Sequence, residues 1–432
     1  MSIRPAFPQS ANHGRKLLLL TAVVALIPAL GWAQEYTVTN LGTLGGTTSN
    51  ANAVNDNGEV VGFANITGDA YGEAFLYAHG AMTDLAPGQS TFGSTAMAMN
   101  DQGNIVVNLN LDTIGDTETY LWNGTSLDNL GVGGGSSINA SGMVVGTENR
   151  YWVYANGQVD TSPGYPLLAP AVFATASSVN SAGTIAAMCW DGNEYDYGWG
   201  CVLGPNVSYT LQSLDGGELP SIAINSYGVT CSSDINVNFS IWSNNGTETV
   251  AIPYGMCNGL NDFGVAVGYY FPPPSQNAVA AIYDRLHGIR ELNSLVEHNR
   301  REPGFAVLNA VAVSNTGYIA ANCQYTALHH KSVTHACLLT PNPAQILKDN
   351  ILQLAKGDPD CIQCRTLLGP LAEELPSTLV GLSTAKQTKT SGVVNAIAND
   401  LLHLFTAAKI DQASETMLQH DCLMVQEALH RD

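Results

Sequence analysis

One short pattern recurs seven times along this chain of 432 residues. It reads small residue, aliphatic residue, Asn, two residues, Gly, then an aliphatic run. The first copy is Ala53-Val54-Asn55-Asp56-Asn57-Gly58-Glu59-Val60-Val61-Gly62. Later copies centre on Asn100 and Gly103, Asn139 and Gly142, Asn180 and Gly183, Asn225 and Gly228, and Asn261 and Gly264. The seventh has Ser314 where the others have Asn, and ends in Gly317. Successive glycines lie 45, 39, 41, 45, 36 and 53 residues apart. A period near 40 residues marks an array of like units that bury their apolar faces against one another.

The chemistry of one unit is local. Alternating small and aliphatic residues lead into Asn-x-x-Gly, and a second aliphatic run leaves it, which predicts two strands joined by a tight turn. Asn hydrogen-bonds its own backbone there, and Gly accepts a positive φ. A third strand follows, as Ala74-Phe75-Leu76-Tyr77, Tyr120-Leu121-Trp122, Tyr151-Trp152-Val153-Tyr154 or Ser240-Ile241-Trp242. A fourth often comes after a further turn, as in Gly80-Ala81-Met82-Thr83-Asp84-Leu85. Four short strands in about 40 residues is the size of a propeller blade. The expected fold is therefore mainly β, a seven-bladed β-propeller over residues 34–341 with a small α-helical domain over 342–432. Residues 36–42 look like a fourth strand without its first three, and residues 335–339 like a third strand without its fourth. Joined, they would complete one blade and remove the open edges. A β-solenoid or a pair of sandwiches is the competing architecture.

The segment Tyr36-Thr37-Val38-Thr39-Asn40-Leu41-Gly42-Thr43-Leu44-Gly45-Gly46, with the first repeat and Ala74-Phe75-Leu76-Tyr77, resembles the HAF-type extracellular repeat. That family carries elements such as LGTLGG, AINDxGxVVG and HAFLY. The resemblance covers about residues 35–341 and weakens along the chain; Glu73 stands where the family has His. It implies a bacterial, extracellular protein and no general activity.

The start of the chain reads as an export signal. Arg4, Arg15 and Lys16 precede an apolar run over residues 17–30, and Gly31-Trp32-Ala33 offers small residues for cleavage after Ala33. The run is shorter than the roughly 20 residues a bilayer needs, which leaves an uncleaved anchor as the alternative to a signal peptide over 1–33. No later segment is long and apolar enough to span a membrane. Cleavage would take the 16 basic residues to 13 against 36 acidic ones, a net charge of −23. Such a chain is a poor partner for nucleic acid or an anionic membrane, which need Lys and Arg clusters. Charged residues make up only 12% of it, so its polar surface rests on Ser, Thr, Asn and Gly, suited to neutral hydrogen bonds with an extracellular glycan or protein.

Nine cysteines in an exported chain imply disulfides, with at least one thiol left over. Cys189 with Cys201, and Cys323 with Cys337, fall on what should be second and third strands of one blade. Cys231 with Cys257 would link neighbouring blades. In the tail, Cys361, Cys364, His420 and Cys422 are zinc-ligand types, but a disulfide from Cys422 to Cys361 or Cys364 fits the compartment better. His329, His330 and His335 read as a solvated loop. Residues 55–58 read as a turn rather than a calcium loop, which needs further carboxylates.

Composition shifts at Pro341-Asn342-Pro343. Ile346, Leu347, Ile351 and Leu354 share one helical face, as do Val394, Ile397, Leu401, Leu404 with Phe405, and Ala408. About four helices are expected, for docking, for attachment, or as a cap on the ring. No nucleophile elbow, zincin, P-loop or dinucleotide motif is present, and no cofactor is implied. The acids Glu73, Asp112, Asp116 and Asp191 could converge at the ring centre as glycosidases require. The leading expectation is an exported, non-catalytic recognition propeller; the rival is a hydrolase or lyase acting on a polysaccharide.

Overall fold

The computed structural model describes residues 35–432 apart from 113–115, 166, 168–170, 191–197, 205–207, 212–221, 234–237, 275–276, 297–303, 327–331, 358–362, 408 and 432. The proposed signal peptide lies outside that range. Residues 33–432 form one compact unit.

The repeats build seven four-stranded antiparallel sheets, each one blade of a propeller. In blade 1 the strands are Gly45–Val54, Val60–Ile66, Gly72–Ala78 and Ala81–Asp84, from the inside outward. The innermost strands of blades 2 to 7 are Ser94–Met99, Gly135–Ile138, Phe173–Val179, Ala223–Ile224, Gly255–Leu260 and Ala306–Val313. Third-strand aromatics fill the space between blades; Phe75, Trp152 and Trp242 are fully buried. Blade 7 closes the ring as expected. Its outermost strand is Tyr36–Asn40, paired antiparallel with Ser332–Pro341 so that Val38 faces Leu339 and Asn40 faces Cys337.

Each Asn-x-x-Gly is the turn between first and second strands. All seven glycines have positive φ, from 75° to 83°. In each turn the Gly N–H donates to the carbonyl of the Asn, or of Ser314. The Asn side chains do more than shape their own turns. Each amide donates to the backbone carbonyl of the corresponding residue one blade on: Asn100 to Asn139, Asn139 to Asn180, Asn180 to Asn225, Asn225 to Asn261, and Asn261 to Ser314, at 2.9–3.1 Å. Ser314 has no amide to carry the belt on. There Asp56 takes over, accepting the N–H groups of Asn315 and Thr316. Asn55 turns its amide to Glu59 instead.

Asn180 is buried and makes three such bonds: to Asn225 and from the N–H groups of Ala182 and Thr184. Asn180→Ala strips its partner from the buried Asn225 carbonyl and from two partly buried N–H groups; a buried group left unmade costs about 1–3 kcal/mol. The expected loss is roughly 2–3 kcal/mol in urea unfolding; Asn57→Ala, at an exposed position of the same kind of turn, is the control and should leave the midpoint in place.

The tail forms α2 (Pro343–Gly357), a π-turn (Cys364–Leu368), α3 (Gly369–Glu374), α4 (Thr384–Thr406) and α5 (Gln412–Arg431); a short α1 (Leu292–Leu295) lies in blade 7's approach. Leu347, Ile351 and Leu354 of α2 meet Val394, Ile397, Leu401 and Leu404 of α4 and Leu418 and Val425 of α5 in one core. Two expected positions differ. Ile346 packs against the blade 6–7 core rather than the tail's. Phe405 is 36% exposed, because one residue beyond Leu404 turns a helix by about 100° away from the core. Ala408 lies outside the described residues.

Candidate functional site

The ring axis is a channel of about 630 Å³. Its wall is set by the residue three before each repeat Asn or Ser. In six blades the first strand slips register there, and the extra residue of a bulge is re-aimed out of the ladder. The wall therefore includes Asn52, Met97, Ser136, Ser177, Ile222, Asn258 and Val311. Three of these brace the ring a second time: Asn52 donates to the Ala96 carbonyl, Ser136 to Ala176, and Asn258 to Ala310. Gly62 makes the bulge possible, since a Cβ there would lie 2.0 Å from the Asn50 carbonyl oxygen. Among the described residues, this wall is apolar, hydroxyl and amide, without a charged side chain.

Around the channel, the described carboxylates gather at the mouth on the turn side, just after the repeat Asn. Asp101 accepts the Asp56 N–H, Asp262 accepts the Ser226 N–H, and Asn315 accepts the Asp262 N–H, at 2.8–2.9 Å. Burial pushes Asp56 above the usual carboxylate range, and nearby Asp101 adds to this against the bonds from Asn315 and Thr316. These acids brace one turn against the next.

Of the acids considered as possible convergers, Glu73, Asp112 and Asp116 do not line the channel. Glu73 is buried between blades 1 and 2, where its carboxylate accepts the Ser94 hydroxyl. Burial pushes it up in spite of that bond. Asp112 accepts the Asp116 N–H in a second-to-third-strand loop. Asp191 lies outside the described residues. No three His, Cys, Asp or Glu among the described residues converge in a metal-binding geometry.

Antiparallel order puts the first-to-second and third-to-fourth strand turns at one end of the ring, the turn face. The second-to-third-strand loops and the links between blades are at the other end, the loop face. The tail sits on the turn face over blades 6 and 7. The His420 ring stacks on Phe263 at 3.6 Å, Asp411 pairs with Arg285 at 2.8 Å, and Gln353 donates to the Leu286 carbonyl. Beneath it the two ends of the ring segment are clasped. Arg290, on the fourth strand of blade 6, bonds the buried carboxylates of Glu35 and Asp284. The Glu35 carbonyl accepts the Asn342 N–H at 2.7 Å, next to the start of α2.

The connections of the loop face differ in length from blade to blade, and among the described residues they carry uncovered apolar groups: Phe92, Leu111, Val172, Phe173 and Tyr254 are 40–60% exposed. Between blades 3 and 4 it holds a cleft of about 170 Å³ where Arg150 lies over Phe173. No repeat signal marks that pair, because the two residues belong to different blades.

No family model matches this chain, and no curated protein is similar to it. Among solved structures, a gluconolactonase from Xanthomonas campestris aligns at 12% identity with a TM-score of 0.37, over 72% of this chain and 91% of that one. A lectin in complex with alpha methyl fucoside aligns at 12% identity with a TM-score of 0.34, over 60% of this chain and 97% of that one. Likenesses of this size carry no argument about ligand or chemistry. The propeller assignment rests on the strand pairing itself.

The cysteines fall mostly as expected. Cys189–Cys201 and Cys323–Cys337 staple second to third strands within blades 4 and 7, and Cys231–Cys257 joins blade 5 to blade 6. The tail departs from expectation. Cys364 is disulfide-bonded, but Cys422 is a free thiol. It is buried in the core between α5 and its neighbours, where burial pushes its pKa far up. Cys361 lies outside the described residues, as do His329 and His330. His335 is in a blade 7 strand, beside Asn40 and Tyr325.

Proposed function

We propose that this chain is an exported, HAF-type repeat protein that recognises an extracellular glycan or protein through the loop face, without catalysis of its own, and that the tail serves docking or attachment. The asymmetry of the two faces carries this reading. The turn face is a belt of repeated, mutually braced turns partly covered by the tail, whereas the loop face varies from blade to blade and leaves aromatic and aliphatic groups open. Irregular loops on a rigid frame are where binding residues concentrate, and uncovered apolar patches mark interaction surfaces. Three disulfides support an oxidising compartment.

The test applies the chain from residue 34 onward to a glycan array and to secreted and envelope fractions. Combined Phe92→Ala, Leu111→Ala and Tyr254→Ala should weaken the captured interaction at least tenfold. Tyr227→Ala, on the turn face at 66% exposure, should leave it unchanged. Capture of nothing, or loss only with the turn-face variant, overturns the reading.

A further inference from the structure

We infer that the cleft between blades 3 and 4 is a carbohydrate site that holds one neutral hexopyranose ring, with Phe173 as the stacking surface and Arg150 as the fork that binds hydroxyls. The inference rests on the loop face being the recognition face, and it names the place and the ligand class.

The chemistry comes from two strands that start side by side. Phe173 opens the first strand of blade 4, and Arg150 immediately precedes the third strand of blade 3. The guanidinium lies 5.4 Å from the ring centroid. It is exposed, and among the described residues it has neither a hydrogen bond nor an ion pair. Phe173 and Val172 are 40% and 47% exposed, so an apolar shelf adjoins five unspent N–H donors. The wall opposite is held in shape by Tyr151, whose hydroxyl donates to the carbonyl of Pro163 at 3.0 Å. Thr161 and Ser162 bring hydroxyl-bearing side chains to the same cleft.

A pyranose matches this arrangement. It has a C–H face for an aromatic ring and a rim of hydroxyls that accept from a guanidinium. Size agrees: about 170 Å³ is below the roughly 300–1,000 Å³ of sites for drug-sized ligands, which suits a single ring. The net charge of the chain works against an anionic sugar, although Arg150 is the charged side chain in the described lining of the cleft. The chain carries a net charge of −20, and Glu148 and Asp160 flank the cleft in sequence.

Methyl glucoside, methyl galactoside and methyl mannoside are titrated into the chain from residue 34 onward by calorimetry and saturation-transfer NMR, with methyl glucuronide as the anionic contrast. At least one neutral glycoside should bind saturably and better than the glucuronide. Phe173→Ala, Phe173→Leu and Arg150→Ala should each weaken it tenfold or more, with melting curves that overlay the parent's. Tyr227→Ala, on the turn face, should not. No saturable binding, preference for the glucuronide, or binding that survives these variants overturns the site. If an array ligand is lost with the loop-face triple variant but kept with Phe173→Ala and Arg150→Ala, the site falls and the recognition face stands.

Discussion

Arg290→Ala is expected to destabilise the folded chain by about 3–5 kcal/mol, the cost of removing one partner from a buried ion pair. Arg290 is the junction of three parts of the chain. It bonds Asp284 at the end of a blade 6 strand and Glu35 at the head of the closing strand, and Glu35 in turn accepts from Asn342 at the head of the tail. The two carboxylates are shifted in opposite directions. Burial works to raise Asp284, but the bonds from His287 and the charge of Arg290 outweigh it and hold Asp284 below the usual range. Burial of Glu35 outweighs Arg290 and pushes it above that range. A lowered carboxylate adds stability that is present above its unfolded pKa and is lost as pH falls through the lower folded value. A raised one adds stability below its unfolded pKa and loses it as pH rises through the higher folded value. Without Arg290, Glu35 loses the charge that opposes its burial and Asp284 keeps only the His287 contacts against its own, so both folded-state pKa values move up. The deficit of Arg290→Ala should therefore be largest at neutral pH and shrink on acidification. Urea unfolding at neutral and mildly acidic pH checks this; a deficit independent of pH contradicts it.

Replacing Cys231 and Cys257 by Ser is expected to cost about 3–4 kcal/mol, from the loop-closure entropy of a disulfide spanning 26 residues. The bond matters more here than the two within blades. Among the described residues, blade 5 has the shortest first strand of the ring, Ala223–Ile224, with two ladder partners to its second strand. It contributes little pairing near the axis, and the bond from its second strand to the first strand of blade 6 is what holds it in line. Chemical unfolding of the double variant should show a lower midpoint, and proteolysis should cut first near blade 5. An unchanged midpoint contradicts this role.

The ring was legible because each turn needs the same chemistry. Asn accepts N–H groups within its own turn, Gly supplies the positive φ, and both therefore recur. Closure was legible from two incomplete blades, and three disulfides from the strand positions of their cysteines. The bulge residues were not, since Asn52, Met97 and Val311 share a location and no chemistry. Their signal was position alone, three before the repeat Asn or Ser. The acidic belt had a faint signal in Asp56, Asp101 and Asp262, each directly after the repeat Asn. The free state of Cys422 was not legible, because compartment chemistry says nothing about which way a helical side chain faces; this one faces the apolar core of the tail. Arg150 and Phe173 were invisible because their meeting is set by the angle between blades.

The most direct test of the recognition face is hydrogen exchange on the chain from residue 34 onward, with and without the tightest array or pull-down ligand. Protection confined to the loop-face connections, around residues 85–93, 148–150, 161–165 and 171–172, is the predicted result. Protection of the Asn-x-x-Gly turns or of the tail helices, with the loop face unchanged, would contradict it.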